Sequence, residues 1–179
     1  KANYPAEFMA SLLTSDEGNT DRQAIEVADA VGLGITVLPP DVNQSEEDFS
    51  VVDIENVAAI RFGLGAIKNV GHGVIEAIMN DRNENGPFTD LFDLFTRINS
   101  RDFNRKSVES LAKAGAFDSL AERNEVLVNT ERLLEFNRAL HKQRDEGQQG
   151  LFGGQAEVIR PRIALDPTEP APKDDRVTW

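Results

Sequence analysis

A chain of 179 residues, 40% of them apolar, suffices for one medium domain or two small ones, and it contains no apolar run of the roughly 18 residues that a membrane span needs. The absence of cysteine excludes disulfides and thiolate metal sites. A net charge of −12 argues against a protein that coats nucleic acid, but the charge is uneven: residues 1–60 carry −10, residues 61–107 carry +1 and residues 108–179 carry −3, so only the middle of the chain can approach a phosphate backbone without strong repulsion.

Pro5 stands where a helix begins, and Phe8, Met9, Leu12 and Leu13 follow at helical spacing. Thr20 and Gln23 have the spacing of a capping box. They predict a second helix with Ile25, Ala28 and Val31 along its apolar face, stopped by Gly32 and Gly34. Residues 35–38 form a short β-rich run, which Pro39-Pro40 closes. Phe49-Ser50-Val51 and Ile60-Arg61-Phe62 alternate apolar and polar residues around a polar turn containing Asp53 and Asn56, which predicts a small β-hairpin.

Residues 67–78 are apolar at helical spacing with a Gly-x-Gly interruption, and read as two short helices joined by a tight hairpin. After the break at Asn85-Gly86-Pro87, Thr89 caps a helix carrying Leu91, Phe92, Phe95 and Ile98. Asn104 caps the next, with Val108, Leu111 and Ala112 inside and Gly115 at its end. A long helix is expected from about Asn124 to His141. From Lys142 the chain turns polar and then proline-rich, which reads as a linker.

The sharpest local pattern is Val70-Gly71-His72-Gly73, preceded by Lys68. In a helix-hairpin-helix unit, glycines permit a sharp turn that presents backbone N–H groups, and the helix start that follows adds partial positive charge. Such a site grips a phosphate without reading bases. An ordinary helix corner packed on its neighbours gives the same short pattern. Arg105, Lys106, Lys113, Gly115 and Ala116 form a second candidate hairpin, for which a capped helix with a solvated basic face is the plainer account. Gln148, Leu151 and Phe152 form a third candidate: two apolar anchors in a polar linker mark a peptide that binds a partner's pocket. His72 and His141 have no ligand-spaced partners, which argues against zinc, and Asp41, Glu46, Glu47 and Asp48 read as a solvated acidic loop.

Several runs occur together in a familiar order: Tyr4 to Phe8, Leu12 to Ser15, Val37 to Asn43 with Ser45 and Asp48-Phe49, Ile60 to Lys68, Gly86-Pro87-Phe88, and Leu111 to Asp118. Over roughly residues 1–152 the chain resembles the bacterial DNA polymerase III alpha subunits, the C-family replicative polymerases. The resemblance implies a segment comprising the end of the fingers region, a tandem helix-hairpin-helix unit on duplex DNA, and an internal sliding-clamp motif at Gln148 to Phe152. It also implies that the catalytic aspartates lie upstream, so that this segment has no catalytic residue, no metal site and no cofactor of its own. Mg2+ is expected in the parent DNA-directed DNA polymerase.

The expected fold is mainly α: a helical bundle with tandem helix-hairpin-helix units, a small β-hairpin and a disordered or extended C-terminal tail. Residues 1–45 form the end of a fingers-like helical region, 46–141 the hairpin and DNA-binding region, and 142–179 a linker with the clamp-binding peptide. Duplex DNA, a sliding clamp and other replicase subunits are the expected partners, with no membrane and a cytoplasmic location. No secretory leader pattern opens the chain, and the missing initiator Met with the abrupt end at Trp179 leads to the expectation that both ends are cuts through a longer polypeptide. A stand-alone helix-hairpin-helix adaptor in DNA repair and an error-prone paralogue of the same polymerase family remain the alternatives.

Overall fold

A computed structural model describes residues 4–16, 18–148 and 165–170, with side chains to Lys142 in the last helix. The fold is mainly helical with one small sheet. In chain order the elements are α1 (Pro5–Ser15), α2 (Thr20–Gly32), β1 (Thr36–Leu38), β2 (Ser50–Ile54), β3 (Val57–Arg61), α3 (His72–Asn85), α4 (Leu91–Arg97), α5 (Arg105–Ala114) and α6 (Arg123–Gln148).

The sheet has the order β1-β3-β2. β2 and β3 are the expected hairpin, antiparallel, with Ile54 opposite Val57. Glu55 and Asn56, at φ 52° and 67°, make the two-residue turn, since left-handed backbone at both positions matches the strand twist. The run at 35–38 becomes β1, which pairs with β3 in parallel, Val37 opposite Ile60. Against this sheet pack α1 and α2, with Met9, Ala10, Leu13, Val27, Ala30, Ile60 and Phe62 in one apolar cluster.

The face of α2 differs from the expectation. Ile25, Ala28 and Val31 are exposed, and the buried positions are Gln23, Glu26, Val27 and Ala30. Small Val27 and Ala30 allow close approach to α1, and that contact sets the inward face rather than the bulkiest residues. The cap is Asn19, whose side chain accepts from Arg22 N, so Thr20 is the first helical residue. Asp90 likewise caps α4 in place of Thr89 by accepting from Asp93 N. Asn104 caps α5 as expected, in a capping box closed by Ser107.

A larger apolar cluster lies among α3 to α6, with Leu94, Phe95, Leu111, Phe117 and Leu133 at its centre. The segment between β1 and β2 joins the two clusters. Asn43 exchanges two hydrogen bonds with the Phe88 backbone, at 2.9 and 2.8 Å, and Val42 N donates to Ala116 O at 2.9 Å. Ser45 accepts from Asp41 N and donates to Phe62 O. Gly63 passes so close to the Glu47 and Asp48 backbone that a Cβ there would overlap it.

Helix α6 continues to Gln148, past the His141 boundary expected from apolar spacing. Lys, Gln, Arg and Glu are good helix formers, and they extend a helix already nucleated by packing. Residues 165–170 run beside α6 without regular secondary structure. Asp166 N donates to Asn129 Oδ1 at 2.8 Å, Arg132 reaches the Asp166 carboxylate at 2.8 Å, and Leu165 packs on the larger cluster.

Candidate nucleic-acid interface

The segment before α3 was expected to hold a short helix, and it does not. Residues 64–69 form successive turns, in which Ile67 N donates to Leu64 O and Val70 N to Ile67 O. Two backbone donors at the start of this segment are tied to the preceding loop: Leu64 N bonds Glu46 O and Gly65 N bonds Glu47 O, both at 2.9 Å. A run of so few residues before the next reversal does not repay the cost of helix nucleation, and the segment stays in turns.

The reversal of the chain occurs at Asn69, which takes the left-handed conformation at φ 65°. Asn tolerates this region better than most residues. Gly71 has ordinary extended backbone, φ −80° and ψ 155°, and open space where a Cβ would stand. Gly73 matters for another reason: a Cβ there would lie 2.9 Å from Asp102 Oδ2. The two glycines are therefore not equivalent, and the sharp turn belongs to neither.

Gly71 caps α3 without a side-chain acceptor. Among the described residues, the N–H groups of Gly71, His72 and Gly73 have no hydrogen-bond partner. Three adjacent donors at a helix start combine orphan hydrogen-bonding capacity with partial positive charge. Val70 is buried and anchors the turn from below, and Lys68 is exposed beside it.

Helix α5 borders this turn. Asn69 Nδ2 donates to Ser110 Oγ at 3.3 Å. Lys106, Ser110 and Lys113 are spaced i, i+4, i+7 and share one face of α5, so the turn meets the helix between the two lysines. Lys113 is 4.0 Å from Glu109 and remains exposed.

The other candidates of the second hairpin lie elsewhere. Arg105 is held by Glu109 at 2.6 Å and Glu131 at 3.1 Å; the hydrogen bond it donates to Glu109 and the charge of Glu109 push the Arg105 pKa further up, and Arg105 pulls that of Glu109 down. Gly115 ends α5 at φ 86° and is buried against Arg123 and Asp118. Ala116 is wholly buried, its N–H bonded to Leu111 O and its carbonyl to Val42 N. Gly115 and Ala116 thus hold the chain together and present no free donor. The structure brings together Lys68, Val70 to Gly73, Lys106 and Lys113, and sets Arg105, Gly115 and Ala116 apart from them. Gln148 is the last residue of α6, with its side chain outside the described residues, as are Leu151 and Phe152.

Sequence reasoning missed the carboxylates of this face. His72 Nδ1 lies 2.7 Å from Glu47 Oε1, and this hydrogen bond, then the charge of Glu47, raises the His72 pKa above its ordinary value. Asp102 approaches the first turn of α3 at Gly73. Both partners are more than 20 residues away in sequence, and nothing in the local pattern signals them. Among the described residues, no helix is long and apolar enough to cross a membrane.

Residues 34–127 match the helix-hairpin-helix motif family, from β1 into the start of α6. The DNA polymerase III subunit alpha of Thermus aquaticus is 43% identical over 98% of this chain, which spans 13% of that relative. The subunit of the same name from Caulobacter vibrioides is 41% identical over 92% of the chain and 14% of the relative, and that from Mycobacterium tuberculosis is 52% identical over 67% and 10%. The chain therefore covers about an eighth of the length of these relatives.

Proposed function

This chain belongs to the helix-hairpin-helix motif family, and from that premise we propose that it is the segment of a replicative DNA polymerase alpha subunit that grips duplex DNA by its backbone, without reading sequence. The observation that carries the reading is the row of unpartnered N–H groups at Gly71, His72 and Gly73, flanked by Lys68 and by the Lys106–Lys113 face of α5. Backbone donors at a helix start suit a phosphate oxygen and have no means of telling one base pair from another. The lysines supply positive charge that offsets the repulsion of a phosphate by the acidic residues 1–60.

Nucleotidyl transfer and its Mg2+ are assigned to parts of the longer polypeptide outside this chain, which by itself is expected to be inactive. Gln148, Leu151 and Phe152 are proposed to tether the same polypeptide to a sliding clamp. The supporting feature is a Gln followed by two apolar anchors in a polar run, and burial of Leu and Phe stabilises such a contact by about 1.5–3 kcal/mol each before ordering costs.

Duplex titrations at two salt concentrations test the DNA reading. Weak binding with a shallow salt slope is expected, about 0.9 per phosphate neutralised, equal across sequences. Lys68→Ala should reduce affinity uniformly. Strong sequence discrimination, or no binding even at low salt, would make the hairpin a packing corner only. For the tether, changing Leu151 and Phe152 together to Ala should abolish clamp binding and leave the helical fold intact.

A further inference from the structure

The chain carries −12 overall, yet one cavity in it is lined by cations. It lies between the connection from α4 to α5 and the outer face of α6, and measures about 770 Å³. Its cations are Arg101, Arg105, Arg138 and Lys142, with His141 among the other lining residues, against the single carboxylate of Glu131. None of these belongs to the hairpin face described above, from which Arg105 is itself set apart by Glu109 and Glu131.

The charges are not all spent on each other. Arg105 is committed to Glu109 and Glu131, so it acts as a wall. Arg138 is 3.9 Å from Glu131 at its closest, beyond a hydrogen bond, and its side chain is two-thirds exposed. Arg101 is exposed and has no partner among the described residues. The frame around these groups is firm. Asn137 Nδ2 donates to the carbonyls of Phe95 and Ile98, both at 2.7 Å, and His141 Nε2 donates to Ile98 O at 3.0 Å. Phe103 and Leu134, both buried, close the floor.

The geometry points to a phosphate-binding site in this cavity, taking phosphomonoester or phosphodiester groups. Guanidinium groups present paired donors that match two oxygens of one phosphate. Several cations around one space favour a ligand with more than one negative charge. The volume falls within the roughly 300–1,000 Å³ of small-ligand sites.

Position favours a nucleic-acid strand as the source of the phosphates, a point that rests on the DNA reading above, whereas the phosphate chemistry does not. The Ser100–Asp102 loop has α3 on one side and the cavity on the other: a Cβ on Gly73 would stand 3.9 Å from Ser100 Oγ, and Ser100 and Arg101 line the cavity. A strand leaving the N–H groups of Gly71 to Gly73 toward the cavity passes this loop, whose Asp102 carboxylate faces Gly73 and whose Arg101 lines the cavity.

The test follows backbone amide signals of the full chain by NMR during three titrations, with inorganic pyrophosphate, a short single strand and a short duplex. Signals of Arg101, Asn104 and Arg138 report on the cavity, and those of Gly71 to Gly73 on the hairpin. With DNA, both sets should move, and the double variant Arg101→Ala with Arg138→Ala should weaken binding roughly tenfold. Both side chains are exposed, so the fold should survive, as circular dichroism would verify. Cavity shifts with pyrophosphate but not with DNA would keep the phosphate site and replace the strand by a free phosphate ligand. Cavity signals unmoved by all three probes at low salt would overturn the proposal, whatever the hairpin signals do. Cavity shifts without hairpin shifts would instead count against the hairpin reading alone.

Discussion

The Nδ1 atom of His72 lies 2.7 Å from Oε1 of Glu47, which ties the first residue of α3 to the loop before β2. The contact puts a titrating cation beside three unpartnered N–H groups and sets an acidic side chain against them when the histidine is neutral. Glu47, by hydrogen bond and charge, and Glu76, by charge, hold the His72 pKa above 6.5. Protonated His72 offsets Glu47 and favours an approaching phosphate. DNA affinity should therefore fall as pH rises through the raised His72 value, and His72→Gln should flatten the profile. The stability contribution has the same sign: present below about pH 6.5, lost above the folded value. Fluorescence titration at a series of pH values checks this, and an unchanged profile in His72→Gln would remove His72 from the interface.

Asp102 reaches the first turn of α3 from the opposite direction. A carboxylate there competes with a phosphate for the positive end of the helix. Asp102→Asn should strengthen duplex binding two- to fivefold, matching about 0.3–1 kcal/mol for a charge near a helix end. Gly71→Ala should be nearly neutral, because open space surrounds its Cβ position. Gly73→Ala should displace Asp102 and alter binding. Equal effects of the two alanine substitutions would contradict the different surroundings of the two glycines.

Arg82 is buried in the middle of the molecule, where its guanidinium donates to Val42 O at 3.1 Å and to Glu46 Oε1 at 3.0 Å. It fixes the loop that joins the two apolar clusters. Arg82→Ala leaves a buried carbonyl without its donor and should destabilise the fold by about 2–4 kcal/mol. Urea unfolding would measure this, and a loss below about 0.5 kcal/mol would show that the loop is held by its other contacts.

Glu26 is buried on α2, and burial first, then hydrogen bonding and charge of Asp16, push its pKa up to about 7. A carboxyl whose folded pKa lies above its unfolded value of 4.5 favours folding below that value, and the contribution is lost as pH rises through about 7. Glu26→Gln keeps a donor toward Asp16 and cannot ionise. It should stabilise the fold at pH 8 by on the order of 1 kcal/mol and flatten stability between pH 4.5 and 7. A steeper pH dependence in the variant would refute this assignment.

The amino-acid sequence by itself determined the elements whose signals are local. Pro5 opens α1, Asn104 and Gly115 bound α5, and the alternation around Asp53 to Asn56 specifies the hairpin, because capping, left-handed turns and strand alternation depend on neighbours a few residues apart. It also brought together the order of motifs that matches the polymerase relatives. Tertiary structure alone decided which face of α2 is buried, since contact with α1 and the sheet outweighs the apolar count of Ile25, Ala28 and Val31. It alone tied the start of the segment before α3 to the Glu46 and Glu47 carbonyls, with turns where a short helix was expected. And it alone set Asn69 against the face of α5 that carries Lys106 and Lys113, while burying Ala116. Those positions are fixed by packing between segments far apart in the chain, which no short window of sequence contains.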